Sequence, residues 1–489
     1  MNHLCIKKFT LFLCLLFAGH FMFNAQTWTQ QGGSFGTLTN PMQTVAINGN
    51  GEIMAHSLSF PKNSTTSGST GLVRVTKFDG TNWNQIGADI NYGGMYVSTY
   101  EDTAELALSL SDDGTILAIG APMTNSWKGK VAVFKYDGTS WNQLGQELTT
   151  TYATSAYGAS VKITPDGSRL VIGGYNSTPS ANFYGLVEVF DFNTSNSQWT
   201  QVGQTLLSPT DTNGIGFGFD VDINDAGNII AASHTNGAVK IFQLDGSIWL
   251  QTAIFTDSSY NYVSLNAVGD KVAVGSQIAT NTTTNMPYAG LAKVYSNNAG
   301  TWTQEGQTLF GTAMFQVYSR VRLNAAGDIL AVGSEGISSS IPKVQVYKIV
   351  NNSWTQVGQA IEETKGTFFG HDVEFDRSGE IVAIGSREGT GSAGPHIAKV
   401  FKLDGVLAAN EAKGDNYKYY PNPVSDQFTI DSKDTIDNIE VYSLIGKLIL
   451  TKKINSKSTT LNLSTLTSGN YLVKVTGAGK TDVIKVIKK

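Results

Sequence analysis

Cysteine is nearly missing from this chain: the 489 residues hold two, Cys5 and Cys14. Both fall in an N-terminal stretch that reads as an export signal, Lys7-Lys8 followed by an apolar run from Phe9 to Phe17. The run is too short to span a bilayer, so cleavage after Ala25 is expected, leaving a mature chain without cysteine. Disulfides and cysteine-ligated metals are thereby excluded. A lipoprotein anchor needs a small residue before its cysteine, and Cys14 follows Leu13.

Charge is also sparse, at 15% of residues, and unevenly placed. Residues 411–489 hold 12 Lys+Arg and 8 Asp+Glu. Taking these and Lys7 and Lys8 from the totals of 34 and 39 leaves 20 and 31, a net charge near −11 for the central region. Such a field repels a phosphate backbone, and no basic stripe offsets it, so nucleic acid is excluded as a partner.

Signatures of common chemistry are absent too: no GxSxG, HExxH or CxxC occurs. GTGSAG (Gly389, Gly391, Gly394) spells a dinucleotide fingerprint, but Pro395 and the strand HIAKVF follow it where a helix is required. Past the signal the histidines are His56, His234, His371 and His396. His56 and His234 are placed at the end of a second repeat strand, where sibling repeats carry Gly or Ser. Asp220, Asp222, Asp372 and Glu374 alternate along first repeat strands, so two such strands could bring carboxylates together as a glycosidase requires.

What the chain has in quantity is a repeat. Trp28, Trp83, Trp141, Trp199, Trp249, Trp302 and Trp354 are each followed two residues later by Gln, at separations of 55, 58, 58, 50, 53 and 52 residues. Between tryptophans run three β-branched segments, for example VKIT, LVIGG and LVEVF, punctuated by turns such as Asp113-Gly114 and Asp166-Gly167. Four short strands per unit form an antiparallel meander. The last block ends at Gly405 with no tryptophan strand after it, and Trp28 precedes the first block. The first strand is therefore expected to complete the last sheet, giving an all-β fold: a seven-bladed β-propeller followed by a small Ig-like β-sandwich. The repeated tryptophans are assigned to packing between sheets.

In such a meander the connections after strands one and three are tight, and those after strands two and four are long: residues 88–104, 121–129, 174–185, 204–216, 276–290 and 386–396. Recognition belongs on variable loops of a rigid scaffold. These loops carry Tyr92, Tyr96, Trp127, Tyr175, Tyr184 and Tyr288 among Ser, Thr and Asn. Trp127, Tyr175, Tyr184 and Tyr288 are the candidate ligand-binding residues, suited to a glycan or protein surface.

The units WNQLGQEL (141–148), YGASVKITPDGSRLVIGG (157–174), FGFDVDINDAGN (217–228) and FFGHDVEFDRSGEIVAIGS (368–386) resemble the FG-GAP-like propeller repeats of integrin α-subunits and many secreted bacterial proteins. That resemblance covers residues 27–405 and implies fold rather than activity. Members of the family often bind calcium through alternating Asp residues in the first hairpin. Here Asp222, Asn224 and Asp225 before Gly227, and Asp112-Asp113 before Gly114, come nearest but lack the downstream carboxylate, so no cofactor is assigned and these residues are read as turn-stabilising.

The final segment resembles the type A C-terminal sorting domain of the type IX secretion system, on Pro421-Asn422-Pro423, Gly446-Lys447, Gly469-Asn470-Tyr471 and the basic end Lys485–Lys489. The resemblance implies passage through the periplasm, recognition of residues 418–489 by the outer-membrane translocon, and release or lipopolysaccharide attachment in a bacterium of the Bacteroidota type. The expected organisation is signal peptide 1–25, propeller 26–405, linker 406–417 and sorting domain 418–489. The expected role is a secreted or surface binding module for extracellular glycan or protein. A polysaccharide-cleaving propeller enzyme and a purely structural surface component are the alternatives.

Overall fold

The computed structural model describes residues 26–488 except 36–43, 59–68, 96–105, 153–154, 176–184, 209–215, 236, 257–260, 315, 317, 337–339, 365–367, 387–396, 405–416, 444–447, 467–468 and 478–479. The signal segment with Ala25, together with Tyr96, Tyr184, His396 and GTGSAG, lies outside the described residues. Regular structure is β throughout apart from the one-turn helix Thr124–Trp127. Two compact units divide the chain, Thr27–Asp404 and one containing Gly405–Lys489.

In Thr27–Asp404 the strands pair as seven antiparallel sheets, each in the order first, second, third, fourth. The first strands are Val45–Ile47, Ala107–Leu110, Tyr157–Ile163, Val221–Ile223, Asn261–Leu265, Tyr318–Leu323 and Phe369–Phe375. Only the seventh sheet borrows a strand: Thr27–Gln30 pairs with its third strand, from Thr27↔Asp404 to Gln30↔Phe401. First strands also touch one another. The series of contacts runs from the first sheet through to the seventh, and Val45–Ile47 lies against both the second and the seventh sheet.

Backbone bonds follow the same series at the tight hairpins. Gly49 N–H donates to Asp112 O, Asp112 to Pro165 O, Asp225 to Ala267 O, Ala267 to Ala325 O, Ala325 to Arg377 O, and Arg377 to Gly49 O. The one missing link, from residue 165 to residue 225, falls at Pro165, which has no N–H to give.

Between sheets, the tryptophan motif works as a joint. The indole Nε1 of Trp28, Trp83, Trp141, Trp199, Trp249 and Trp354 donates to a carbonyl of the preceding sheet, for Trp199 to Leu144 O at 2.8 Å and for Trp28 to Val357 O at 3.0 Å. The ring lies over the glycine of the preceding motif: a Cβ on Gly145 would stand 2.7 Å from Trp199 Cδ1. Where glutamine follows that glycine, its amide grips both backbone groups of the next tryptophan. Gln146 does so to Trp199, Gln204 to Trp249, Gln307 to Trp354, and Gln359 to Trp28. The tryptophans are thus packing residues, as the repeat implies.

Aromatic-glycine pairs at the start of first strands have an equally local cause. Gly158, Gly218 and Gly370 take φ of +85°, +82° and +87°, and their carbonyls crowd the small residues of the preceding sheet's second strand. A Cβ on Gly120 would sit 2.1 Å from Gly158 O, one on Gly173 2.3 Å from Gly218 O, and one on Gly333 2.2 Å from Gly370 O. Those small residues therefore serve contact between sheets.

The C-terminal unit has its own core, including Phe428, Ile430, Ile439, Val441, Val473 and Val486. The expected two-sheet sandwich is here one hydrogen-bonded five-stranded sheet, because the long strands Gln427–Ser443 and Leu448–Asn462 continue through register shifts between Asp431 and Ile436. Such irregularities let a strand turn a corner without breaking.

Candidate functional site

Register makes Ala46, Ser109, Lys162, Asp222, Ser264, Arg322 and Glu374 equivalent: each sits mid-way along a first strand opposite Ala or Val of the second. A cavity of about 120 Å³ is lined by residues of all seven first strands, among them Lys162, Asp222, Ser264, Arg322 and Glu374. Within it Arg322 pairs with Glu374 at 2.7 Å and Lys162 reaches the other carboxylate oxygen at 3.3 Å. Burial pushes the Glu374 carboxyl up, but the two cations outweigh it and hold the group below its ordinary range. Burial raises Asp222, only partly offset by Lys162 and Arg322.

Of the alternating carboxylates, Asp222 and Glu374 line the cavity, and the oxygens of all four are committed. Asp222 accepts the N–H of Leu265 at 2.8 Å, Asp220 that of Val263 at 2.9 Å, and Asp372 that of Val45 at 2.9 Å. Serines do the same at other junctions: Ser109 accepts from Ile163, Ser160 from Val221, and Ser264 from Leu323. Each bond ties one first strand to the next.

At the tight-hairpin end of the cavity, Arg377 of the seventh sheet bridges Asp112 of the second, at 3.0 Å, and Asp225 of the fourth. The residues weighed as calcium ligands are occupied here by protein groups. Asn224 Oδ1 accepts the N–H of Asn228 and Ile229, and Asp113 accepts from Ser111 and Thr115, which is turn-stabilising work. Lys162, Arg322 and Arg377 were not singled out from sequence: Lys162 and Arg322 carry the same alternation as the acids, whereas Arg377 stands in a tight turn after its strand and has no such signal.

Toward the long loops an aromatic arc crosses three sheets. Tyr175 meets Phe219 at 5.3 Å between centroids, Phe219 meets Tyr262 at 5.5 Å, and Arg320 lies 4.1 Å over the Tyr262 ring. Beside them Glu335, buried, bonds His371 Nδ1 at 2.8 Å. Tyr288 is 47% exposed, on a loop tied to its neighbours: Asn281 donates to Gly311 O, and Ser340 to Met314 O. Ile278, Met314 and Ile341 are also exposed on these loops of the fifth and sixth sheets. Trp127 is half-buried with φ +68°, and its carbonyl accepts the Ala156 N–H. Tyr92 is buried, its hydroxyl on Glu147 and Lys130 over its ring, which pins it as structure. The structure brings Tyr175 to the arc and leaves Trp127 and Tyr288 at separate loops.

One histidine is misplaced by the sequence reading. His234 does sit where Ser276, Ser334 and Ser386 stand in other sheets. His56 pairs with Val45 and so matches Ile119, Ile172 and Ile384, two residues earlier. It points into the packing against Phe35, 5.0 Å away, with neither ring nitrogen hydrogen-bonded. The segment IMAHSL, like IIAAS of the fourth sheet, lacks the glycine that marks this register in the other five sheets.

Residues 418–489 match the family model described as the secretion system C-terminal sorting domain. No curated protein matches the chain. The sorting domain makes this a type IX secretion cargo, secreted or attached at the cell surface, that engages that system's machinery.

Proposed function

We propose that residues 26–405 form a seven-bladed β-propeller that recognises an extracellular partner through its long-loop end, after export directed by residues 418–489 and removal of the segment up to Ala25. Support for the propeller reading comes from the contacts among first strands that return to Val45–Ile47, and from Thr27–Gln30 in the seventh sheet. The observation that carries recognition is the group Ile278, Tyr288, Met314 and Ile341, exposed on loops laced together by hydrogen bonds. Exposed apolar side chains on an ordered backbone fit a partner surface. Three aliphatic residues to one ring favour a protein over a glycan, whose hydroxyls call for aromatic and polar platforms. A hydrolase centred on the cavity is disfavoured, since Asp220, Asp222 and Asp372 accept backbone bonds and Glu374 is held by two cations.

Binding to extracellular proteins and to a glycan array, compared for the exported protein and Ile278→Ser/Met314→Ser/Ile341→Ser, tests the reading. The expected result is protein binding that the triple variant loses while its melting temperature is kept. Binding indifferent to the substitutions places recognition elsewhere. Residues 418–489 are tested separately by deletion, with retention inside the cell as the expected outcome.

A further inference from the structure

Among the described residues, the side-chain bonds that join sheets not adjacent in the series all have one end on the seventh sheet. Glu374 takes Lys162 of the third sheet at 3.3 Å, and Arg377 takes Asp112 of the second at 3.0 Å and Asp225 of the fourth. The seventh is also the sheet that borrows its outer strand from the other end of the unit. Its two sides are joined to their neighbours very differently.

Toward the sixth sheet the joint is dense. Gln359 grips both backbone groups of Trp28, the Trp28 indole reaches Val357 O, Arg322 pairs with Glu374 at 2.7 Å, Arg320 donates to His371 O at 2.6 Å, and Lys399 pairs with Glu363. Toward the first sheet the bonds are Val45 N–H to Asp372, the Trp83 indole to Gln31 O, and Arg377 N–H to Gly49 O. None of these pairs two charges, and Gly33 stands where glutamine grips the next tryptophan at four other joints. Ala88 and Ile254 leave the same gap at two more joints. Of the three, the seam between the seventh and first sheets is the one that buries a histidine, His56, with neither ring nitrogen bonded. The ring packs on Phe35, whose backbone pairs with Ala398 of the seventh sheet. A buried polar group without a partner costs the closed seam free energy.

We propose that the seventh sheet is a gate: it parts from the first sheet as a unit, turning on its joint to the sixth, and the bonds of Arg377 and of Lys162 with Glu374 are the latch that holds it shut. The inference rests on the propeller reading above, in which those long-range bonds cross the axis. Parting the seam opens the cavity, since Asn48 and Gly49 line it from one lip and Phe375, Asp376 and Arg377 from the other. The side chains of Arg377, Asp112 and Asp225 are 37–39% exposed, so dissolved salt screens this part of the latch. Opening is thus local and salt-dependent, and it leaves the other six sheets intact.

Native-state thiol labelling of the exported protein tests this, since both native cysteines fall within residues 1–25. Ala398→Cys places a thiol in the buried seam between the seventh and first sheets, and Ala273→Cys places one in the buried seam between the fifth and sixth. Arg377→Gln and Lys162→Gln are each expected to speed labelling at position 398 at least tenfold and to leave position 273 unchanged. Arg169→Gln, which breaks the pair with Asp191 inside the third sheet, is expected to change neither. Added salt should speed labelling at 398 when the latch is intact, and do so less in Arg377→Gln. The proposal is overturned by equal acceleration at 398 and 273, by labelling at 398 indifferent to both latch variants, by a salt response unchanged in Arg377→Gln, or by the same acceleration from Arg169→Gln. A thiol at 398 that reacts as fast with the latch intact as in urea-unfolded protein means that the first and seventh sheets do not meet, and it is then the propeller reading that fails.

Discussion

His56 offers the most quantitative test of how these sheets pack. Burial, chiefly, and then the Arg74 charge lower its pKa from 6.5 to about 4, against smaller upward pulls from the Ser57 backbone and Asp89. The folded state therefore prefers the neutral ring. Above pH 6.5 the group is neutral in both states and costs nothing by this route. As pH falls the unfolded chain takes up the proton first, and folding loses about 1.4 kcal/mol per unit until the folded ring titrates near pH 4. The full loss is about 3 kcal/mol, order of magnitude. His56→Ile, the residue found at the matching positions 119, 172 and 384, removes it. Urea unfolding of both proteins between pH 7.5 and 4 cancels in the difference the titrating groups that are not coupled to His56. The difference should be flat above pH 6.5, grow below it and level off near pH 4. Parallel pH profiles for the two proteins would refute the account, and with it the burial of that ring between sheets.

Three further outcomes are expected. Gln359→Ala strips the amide that holds both backbone groups of Trp28 and should lower stability by about 1–3 kcal/mol, read as a fall in melting temperature that Gln146→Ala reproduces at its own joint. Glu374→Gln removes the one carboxylate that Arg322 and Lys162 both bond, and chemical denaturation should show a loss of about 3–5 kcal/mol. Gly120→Ala forces a methyl against Gly158 O and should cost at least about 1–3 kcal/mol by the same measurement, whereas Gly138→Ala, where a Cβ meets nothing, pays only for its positive φ.

Much of this fold was legible because its signals are local. Period-two runs and Asp-Gly turns mark strands and hairpins within a few residues, and counting tryptophans against blocks anticipated that Thr27–Gln30 would join the last sheet. The cavity was legible by half. Alternation along VDIN and VEFD flags Asp222 and Glu374, but nothing local says that Lys162 meets Glu374 across 212 residues. The Arg377 bridge has the same cause: its partners belong to the second and fourth sheets, and tight turns read in isolation look inert. His56 shows a different limit, since a unit without its marker glycine gives no local sign of where along the second strand each residue stands. The glutamine after the motif glycine was visible in four units, yet its role needed the neighbouring sheet.

The pairing of Thr27–Gln30 with Lys399–Asp404 has a consequence in time. Thr27–Gln30 is synthesised about 370 residues before the strand it pairs with, so the seventh sheet waits for Lys399–Asp404 to be made. A product cut short before residue 399 lacks both that sheet's third strand and the sorting domain encoded just beyond it. Completion of the fold and possession of the export address are written into the same final stretch, and an unfinished chain is left without either.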